Sequence, residues 1–226
     1  MLNRLLALAL TVMTLGQGVV AGFEDEMSLG GYLFLVNKDY RIAADYVPDD
    51  LVMPDVKRTS GSVMMRKEAA QALEQMFEAA KEEKINLVAA SGYRSYQTQR
   101  AIYNRRLKAA GKAHVDRFVA LPGASEHQLG LAMDVTRPKT DGLSRSFGQT
   151  KEGQWLLKNC YRFGFILRYK EEWEDVTGYG YEPWHIRYVG AEHALRIQEW
   201  DVPFETYVEA LRAAQGMTAE QKEAAE

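Results

Sequence analysis

The chain has 226 residues, 46% of them hydrophobic and 26% charged, which supplies one sizeable core and argues against disorder, collagen or coiled coil. Its 28 Lys and Arg are outnumbered by 31 Asp and Glu, giving a net charge of −3 and no basic surplus with which to engage nucleic-acid phosphates. A single cysteine excludes a disulfide framework and a cysteine-rich zinc site, so any metal must be held by His and carboxylates.

The N-terminus reads as an export signal. Met1 to Arg4 is a short basic start, Leu5 to Leu15 an apolar run, and Val19 and Ala21 stand at −3 and −1 of a cleavage point. Residues 1–21 are expected to be a signal peptide, with a retained membrane anchor as the alternative, and no other segment is apolar enough to span. The protein is therefore expected on the outer, cell-envelope side of a membrane, touching the bilayer only through an uncleaved N-terminus.

Residues 22–60 are punctuated by Gly30-Gly31, Pro48-Asp49-Asp50 and Pro54-Asp55 around a short strand, Tyr32 to Val36, and read as an extension packing on the main domain, 61–214. That domain opens with an amphipathic helix, Met65 to Glu83, whose Ala69, Leu73, Met76, Phe77 and Ala80 share one face. A buried strand, Ile85 to Ala90, and a helix, Tyr96 to Ala110 with Ile102, Tyr103 and Leu107, follow. Next come a strand, Leu131 to Val135, a helix, Glu152 to Phe163, and strands Phe165 to Tyr169 and Trp184 to Val189. Helices Ala191 to Trp200 and Phe204 to Ala214 lead into a polar tail, 215–226. Without a βαβ rhythm, the fold class is α+β: helices packed on a small, mainly antiparallel sheet.

Three segments carry the chemistry. Asp134 interrupts an apolar strand, where an unpaired carboxylate would cost several kcal/mol. Gly130 lets the chain turn so that His127 approaches it, and either a buried Asp–His hydrogen bond or a shared cation would satisfy both. His185 heads another apolar strand; with His127 and Asp134 it would complete a three-ligand zinc site open to water. Glu182 lies three residues earlier, across Pro183, and suits a general base, although spacing alone leaves a fourth ligand open. In Ser91 to Gln99, Arg94 sits at a helix start against the local dipole, which points to an anionic partner or a surface salt bridge.

Together, SGYRSYQTQ (91–99), SEHQLGLAMDV (125–135) and GYEPWHIRYVG (180–190) resemble the VanY-type D-alanyl-D-alanine carboxypeptidases, zinc peptidases of the bacterial cell wall that share a fold with the Hedgehog signalling domain. Looser similarity extends the resemblance from about Tyr32 to Leu211. It implies His127, Asp134 and His185 as ligands of one Zn2+ per chain, Glu182 as catalytic base and Arg94 as the group that steadies the oxyanion. It implies Ser125 and Gln99 as binders of the terminal D-residue and its carboxylate; from the residues alone, Trp184 either stacks on substrate or packs in the core with Ile186 and Tyr188, and Tyr179 lines the pocket. The expected activity is removal of the C-terminal D-alanine from peptidoglycan stem peptides by a monomeric enzyme. An L,D-carboxypeptidase on tetrapeptide stems, or a catalytically silent wall-binding module, are the alternatives.

The remaining candidates read as structural. His193 lies on a helix as a packing or surface residue, His114 lies in a polar connection, and Cys160 shares an apolar helix face as an inert thiol.

Overall fold

Apolar spacing and turn chemistry account for most element positions in the computed structural model, which describes residues 23–216 apart from 60 and 141. The expected signal segment, 1–21, and the tail beyond 216 lie outside the described residues. The chain divides into two units, Met1–Leu35 with Asp201–Glu226, and Val36–Trp200. In the first, α1 (Phe23–Met27) is followed by a turn in which the Leu33 N–H donates to the Glu26 carbonyl at 2.8 Å. No strand forms over Tyr32–Val36: Leu33, Leu35 and Val36 are buried, but the backbone closes turns instead of joining a ladder.

Val36–Trp200 holds the sheet. β1 (Leu51–Val52) pairs antiparallel with β2 (Met65–Arg66), which runs directly into α2 (Lys67–Glu82). That helix buries Ala69, Ala70, Leu73, Met76, Phe77 and Ala80, the stripe that its spacing predicts. The Ile85 N–H still donates to the Ala80 carbonyl, so the chain is finishing the helix where a strand was expected, and β3 starts only at Val88 (Val88–Ser91). α3 (Tyr96–Phe118) is longer than expected and is broken at Gly111, whose φ of 77° and ψ of 171° are non-helical. Its only buried residues are Gln99 and Val115. Ile102 and Tyr103 are half-buried and Leu107 is exposed, so the expected core-facing row does not enter the core.

β4 (Ala132–Thr136) is buried along its whole length. α4 (Lys151–Asn159) tightens into a 3-10 turn, Cys160–Phe163, closed by Gly164 in the left-handed conformation (φ 80°). β5 (Phe165–Leu167), α5 (Glu174–Thr177), β6 (His185–Tyr188) and α6 (Ala191–Trp200) complete this unit. β3, β4, β5 and β6 form a four-stranded antiparallel sheet in the order β3-β4-β6-β5, separate from the β1–β2 pair, and α2 and α6 pack on the 3-10 turn that precedes β5. This is the expected α+β class. The last helix, α7 (Phe204–Gly216), belongs to the first unit and buries Phe204, Tyr207, Val208 and Leu211 at helical spacing. Among the described residues no helix is long and apolar enough to cross a membrane.

His193 on α6 is buried, in keeping with a packing role, and burial lowers its pKa from 6.5 to about 4, with Glu192 opposing. A group with a depressed folded pKa contributes its stability above the unfolded value, and that contribution is lost as pH falls from 6.5 towards 4. Between pH 7 and pH 5 the wild type should therefore lose about 2 kcal/mol more stability than His193→Gln. Urea unfolding of both proteins at the two pH values measures this; equal losses would contradict it.

Candidate metal centre and active-site cleft

The site is assembled from the end of β3, the turn before β4, and the start of β6. Beyond Ser91 the chain presses against the segment before β2: the Tyr93 N–H donates to the Met64 carbonyl at 2.7 Å. A Cβ on Gly92 would lie 2.4 Å from that carbonyl oxygen, so only glycine permits this approach. The Gly92 carbonyl thereby reaches His127 Nδ1 at 2.8 Å. A carbonyl can only accept, so Nδ1 carries the proton and Nε2 carries a lone pair. His127 stands on the 3-10 turn Glu126–Leu129, which Gly130 closes in the left-handed conformation (φ 69°). The loop and turn are stitched again by the Arg94 N–H, which donates to the His127 carbonyl at 3.1 Å.

The His127 Nε2 lone pair is buried with no hydrogen-bond partner, and the nearest carboxylate oxygen, Asp134 Oδ2, is 3.4 Å away. Two lone-pair carriers facing each other inside a protein require positive charge between them. The β4–β6 register supplies the third group by setting Asp134 opposite His185, whose Nδ1 lies 3.2 Å from Asp134 Oδ1. One donor atom from each of His127, Asp134 and His185 falls within 4.8 Å of the others. Two imidazole nitrogens and one carboxylate oxygen are a donor set that zinc accepts, so the residues present fit that metal.

The electrostatics agree. Burial pushes the Asp134 carboxyl up, but His127 and His185 outweigh it and hold the group well below the usual carboxylate range. Burial favours neutral His185, yet its hydrogen bonds to Asp134 and Glu126 push it up to about 9. Burial and the nearby Arg94 guanidinium lower His127 to about 4. The cluster thus keeps His127 as a neutral base and draws positive charge towards Asp134.

Glu182 hangs beside this trio. Its N–H donates to the Tyr169 carbonyl and its own carbonyl accepts the His185 N–H, both at 3.1 Å. Oε2 lies 3.9 Å from His185 Nδ1. Burial is the main cause that pushes this carboxyl up to about 8; His185 opposes it and Asp134 adds to it. Across the site, Arg94 donates from one terminal nitrogen to Gln99 Oε1 at 2.9 Å and from the other to Asp134 Oδ2 at 3.4 Å. Its Nε is buried without a partner. The Gln99 side-chain nitrogen donates to the Ala120 carbonyl at 2.7 Å, so both ends of that amide serve to brace Arg94.

These groups open on a cleft of about 460 Å³, lined also by Ser125, Tyr179 and Trp184. Ser125 makes no side-chain cap bond to the turn that it begins. Tyr179 is buried against Tyr169, with ring centroids 5.1 Å apart, and Trp184 is half-buried. Exposed His114 stacks on Phe118 at the rim of the cleft. Cys160 is buried away from it, its thiol pushed up to about 12 by burial and therefore inert.

Sequence reasoning missed three groups. Glu126 Oε1 accepts from Arg168 Nε at 2.8 Å and from an Arg187 terminal nitrogen at 3.0 Å, and all three side chains are 0% exposed. Its other oxygen, Oε2, lies 3.2 Å from His185 Nε2. Burial pushes the Glu126 carboxyl up, but Arg168 and Arg187 prevail and keep it ionised, well below the usual range. The signal was available: a charged residue inside an apolar run, as at Asp134, also marks Arg168 and Arg187.

Comparisons with known proteins point the same way. The family model described as VanY: D-alanyl-D-alanine carboxypeptidase matches residues 62–191. A bifunctional D-Ala-D-Ala dipeptidase and D-Ala-D-Ala carboxypeptidase, VanXYC of Enterococcus gallinarum, is 37% identical over 174 residues, covering 74% of this chain and 90% of the relative. The LdcB LD-carboxypeptidase structure, solved for peptidoglycan recognition, is 46% identical with a TM-score of 0.73, covering 78% of this chain and 85% of that one. A VanY variant from a VanB-type vancomycin-resistance cassette, in complex with Zn(II), is 33% identical with a TM-score of 0.65, covering 78% of this chain and 98% of that one. The fold is the one shared by the Hedgehog domain and D-Ala-D-Ala peptidases.

The Gly92 packing can be tested directly. Gly92→Ala forces the loop off Met64 and should destabilise the protein by about 1–3 kcal/mol, the usual range for overpacking. A urea midpoint equal to that of the wild type would show that the loop yields without strain.

Proposed function

This chain belongs to the VanY family of D-alanyl-D-alanine carboxypeptidases, and from that membership we propose that it is an exported, zinc-dependent enzyme that removes the C-terminal D-alanine from peptidoglycan stem peptides. The observation that carries the reading is the buried His127 Nε2 lone pair, aimed at Asp134 and His185 with Glu182 alongside. We assign His127, Asp134 and His185 to one zinc ion per chain. Zinc, when bound, supplies Lewis acidity that makes water a competent nucleophile near neutral pH.

The protein groups then divide the work. Glu182 takes a proton from the attacking water and returns it to the nitrogen of the departing D-alanine as the C–N bond breaks. Burial raises its pKa to about 8 without the metal, and the charge of a bound zinc would lower it towards a range in which the carboxylate can accept and release that proton. Arg94, braced by Gln99, keeps its Nε–H in reserve for the substrate, where a charge-assisted hydrogen bond steadies the oxyanion of the tetrahedral intermediate. Ser125, Tyr179 and Trp184 hold the terminal residue within the cleft. A silent wall-binding module has no use for a carboxylate held protonatable beside a ligand trio. The similarity to an LD-carboxypeptidase keeps tetrapeptide stems as the second substrate reading.

The test uses purified protein with pentapeptide and tetrapeptide stems, with and without chelator. D-Alanine release that stops on chelation and returns with zinc is expected; release indifferent to chelator contradicts the reading. Glu182→Gln should keep zinc content and melting temperature while turnover falls roughly 10²–10⁴-fold. Loss of zinc from that variant would instead make Glu182 a ligand.

A further inference from the structure

The buried group formed by Glu126, Arg168 and Arg187 has no part in the chemistry above, yet it touches the metal site at one atom. Glu126 lies next to His127 in the chain and reaches across to His185 Nε2, 3.2 Å away. His185 Nδ1, on the opposite side of the same ring, faces Asp134 and Glu182. An imidazole with one nitrogen against a fixed anion and the other in the ligand trio has its ring orientation and its tautomer determined together. The anion is held from two strands. Arg187 lies two residues after His185 on β6, so both side chains leave the same face, while Arg168 follows β5 and donates its backbone N–H to the His185 carbonyl at 3.2 Å.

We propose that Glu126 is a positioning residue: it accepts the His185 Nε2–H, so that Nδ1 presents its lone pair to zinc, and Arg168 and Arg187 hold the carboxylate in place. This rests on the zinc reading of the site. The competing account is a buried ion-pair cluster that serves folding alone.

Zinc affinity, measured by competition with a chromophoric chelator, separates the two. Glu126→Gln removes the carboxylate that both guanidinium groups contact and can fail to fold, so the decisive variant adds Arg168→Met and restores the net charge of the cluster. The folded double variant should bind zinc roughly 10–100-fold more weakly than wild type, the range seen when the outer partner of a metal-bound His is removed. A folded variant with wild-type affinity overturns the proposal. Should neither variant fold, nitrogen-15 histidine spectra of the zinc-loaded wild type decide: a proton on His185 Nε2 with Nδ1 metallated is expected, and the reverse overturns the proposal. Failure of the wild type to bind zinc at all would sink the zinc reading, whereas a zinc-loaded wild type with equally tight variants defeats the role of Glu126 alone.

Discussion

The antiparallel pairing of β4 with β6 is the interaction on which the site depends. It sets Asp134 opposite His185 and Ala132 opposite Arg187, so one ladder brings a carboxylate, an imidazole and a guanidinium onto one buried face. A slip of β6 by one residue would turn His185 and Arg187 to the face of Met133, away from Asp134. The ladder also determines which groups must follow. An ionised carboxylate and an imidazole in the interior each need a partner, and those partners arrive on loops adjoining these two strands and their neighbour β3. His127 comes on the turn before β4, Glu182 on the turn before β6, and Arg94 on the loop beyond β3.

Two glutamates in this small space are driven in opposite directions by their surroundings. Glu126 meets two guanidinium groups and stays charged. Glu182 meets low dielectric and the Asp134 carboxylate, with only partial help from His185, and rises to about 8. Identical side chains thus divide into one held ionised and one whose charged form is disfavoured, a separation achieved by environment alone. The arginine at position 94 completes the pattern, because Gln99 and Asp134 occupy its terminal nitrogens and leave Nε as the free donor.

Much of this was legible in the residues. Asp134 was conspicuous because it broke an apolar strand, and the helix over Lys67–Glu82 declared its buried face through spacing. What escaped had physical reasons. The Tyr32–Val36 segment is as apolar as a strand but closes turns, since burial does not by itself supply a ladder partner. α3 carries almost no amphipathic stripe because one side borders the cleft and the rest is exposed, so neither its length nor its break at Gly111 could be read from periodicity. Arg168 and Arg187 sit inside apolar runs, yet a long cationic side chain is ordinarily taken to reach for water. Here both are fully buried, and their anion comes from a residue about 40 to 60 positions distant in the chain.

The strand order β3-β4-β6-β5 has a consequence for how the protein comes into being. β6 follows β5 in the chain, yet it lies between β4 and β5. Until it is added, the facing edges of β4 and β5 present unpaired backbone groups, the kind of edge that invites pairing with other chains. The same late insertion brings His185 to Asp134 and the Arg187 guanidinium to the Glu126 carboxylate. A chain still emerging from the ribosome therefore has neither a finished sheet nor a finished donor set. Maturation of the centre and closure of the sheet are a single long-range event, completed only when the last strand slots into place.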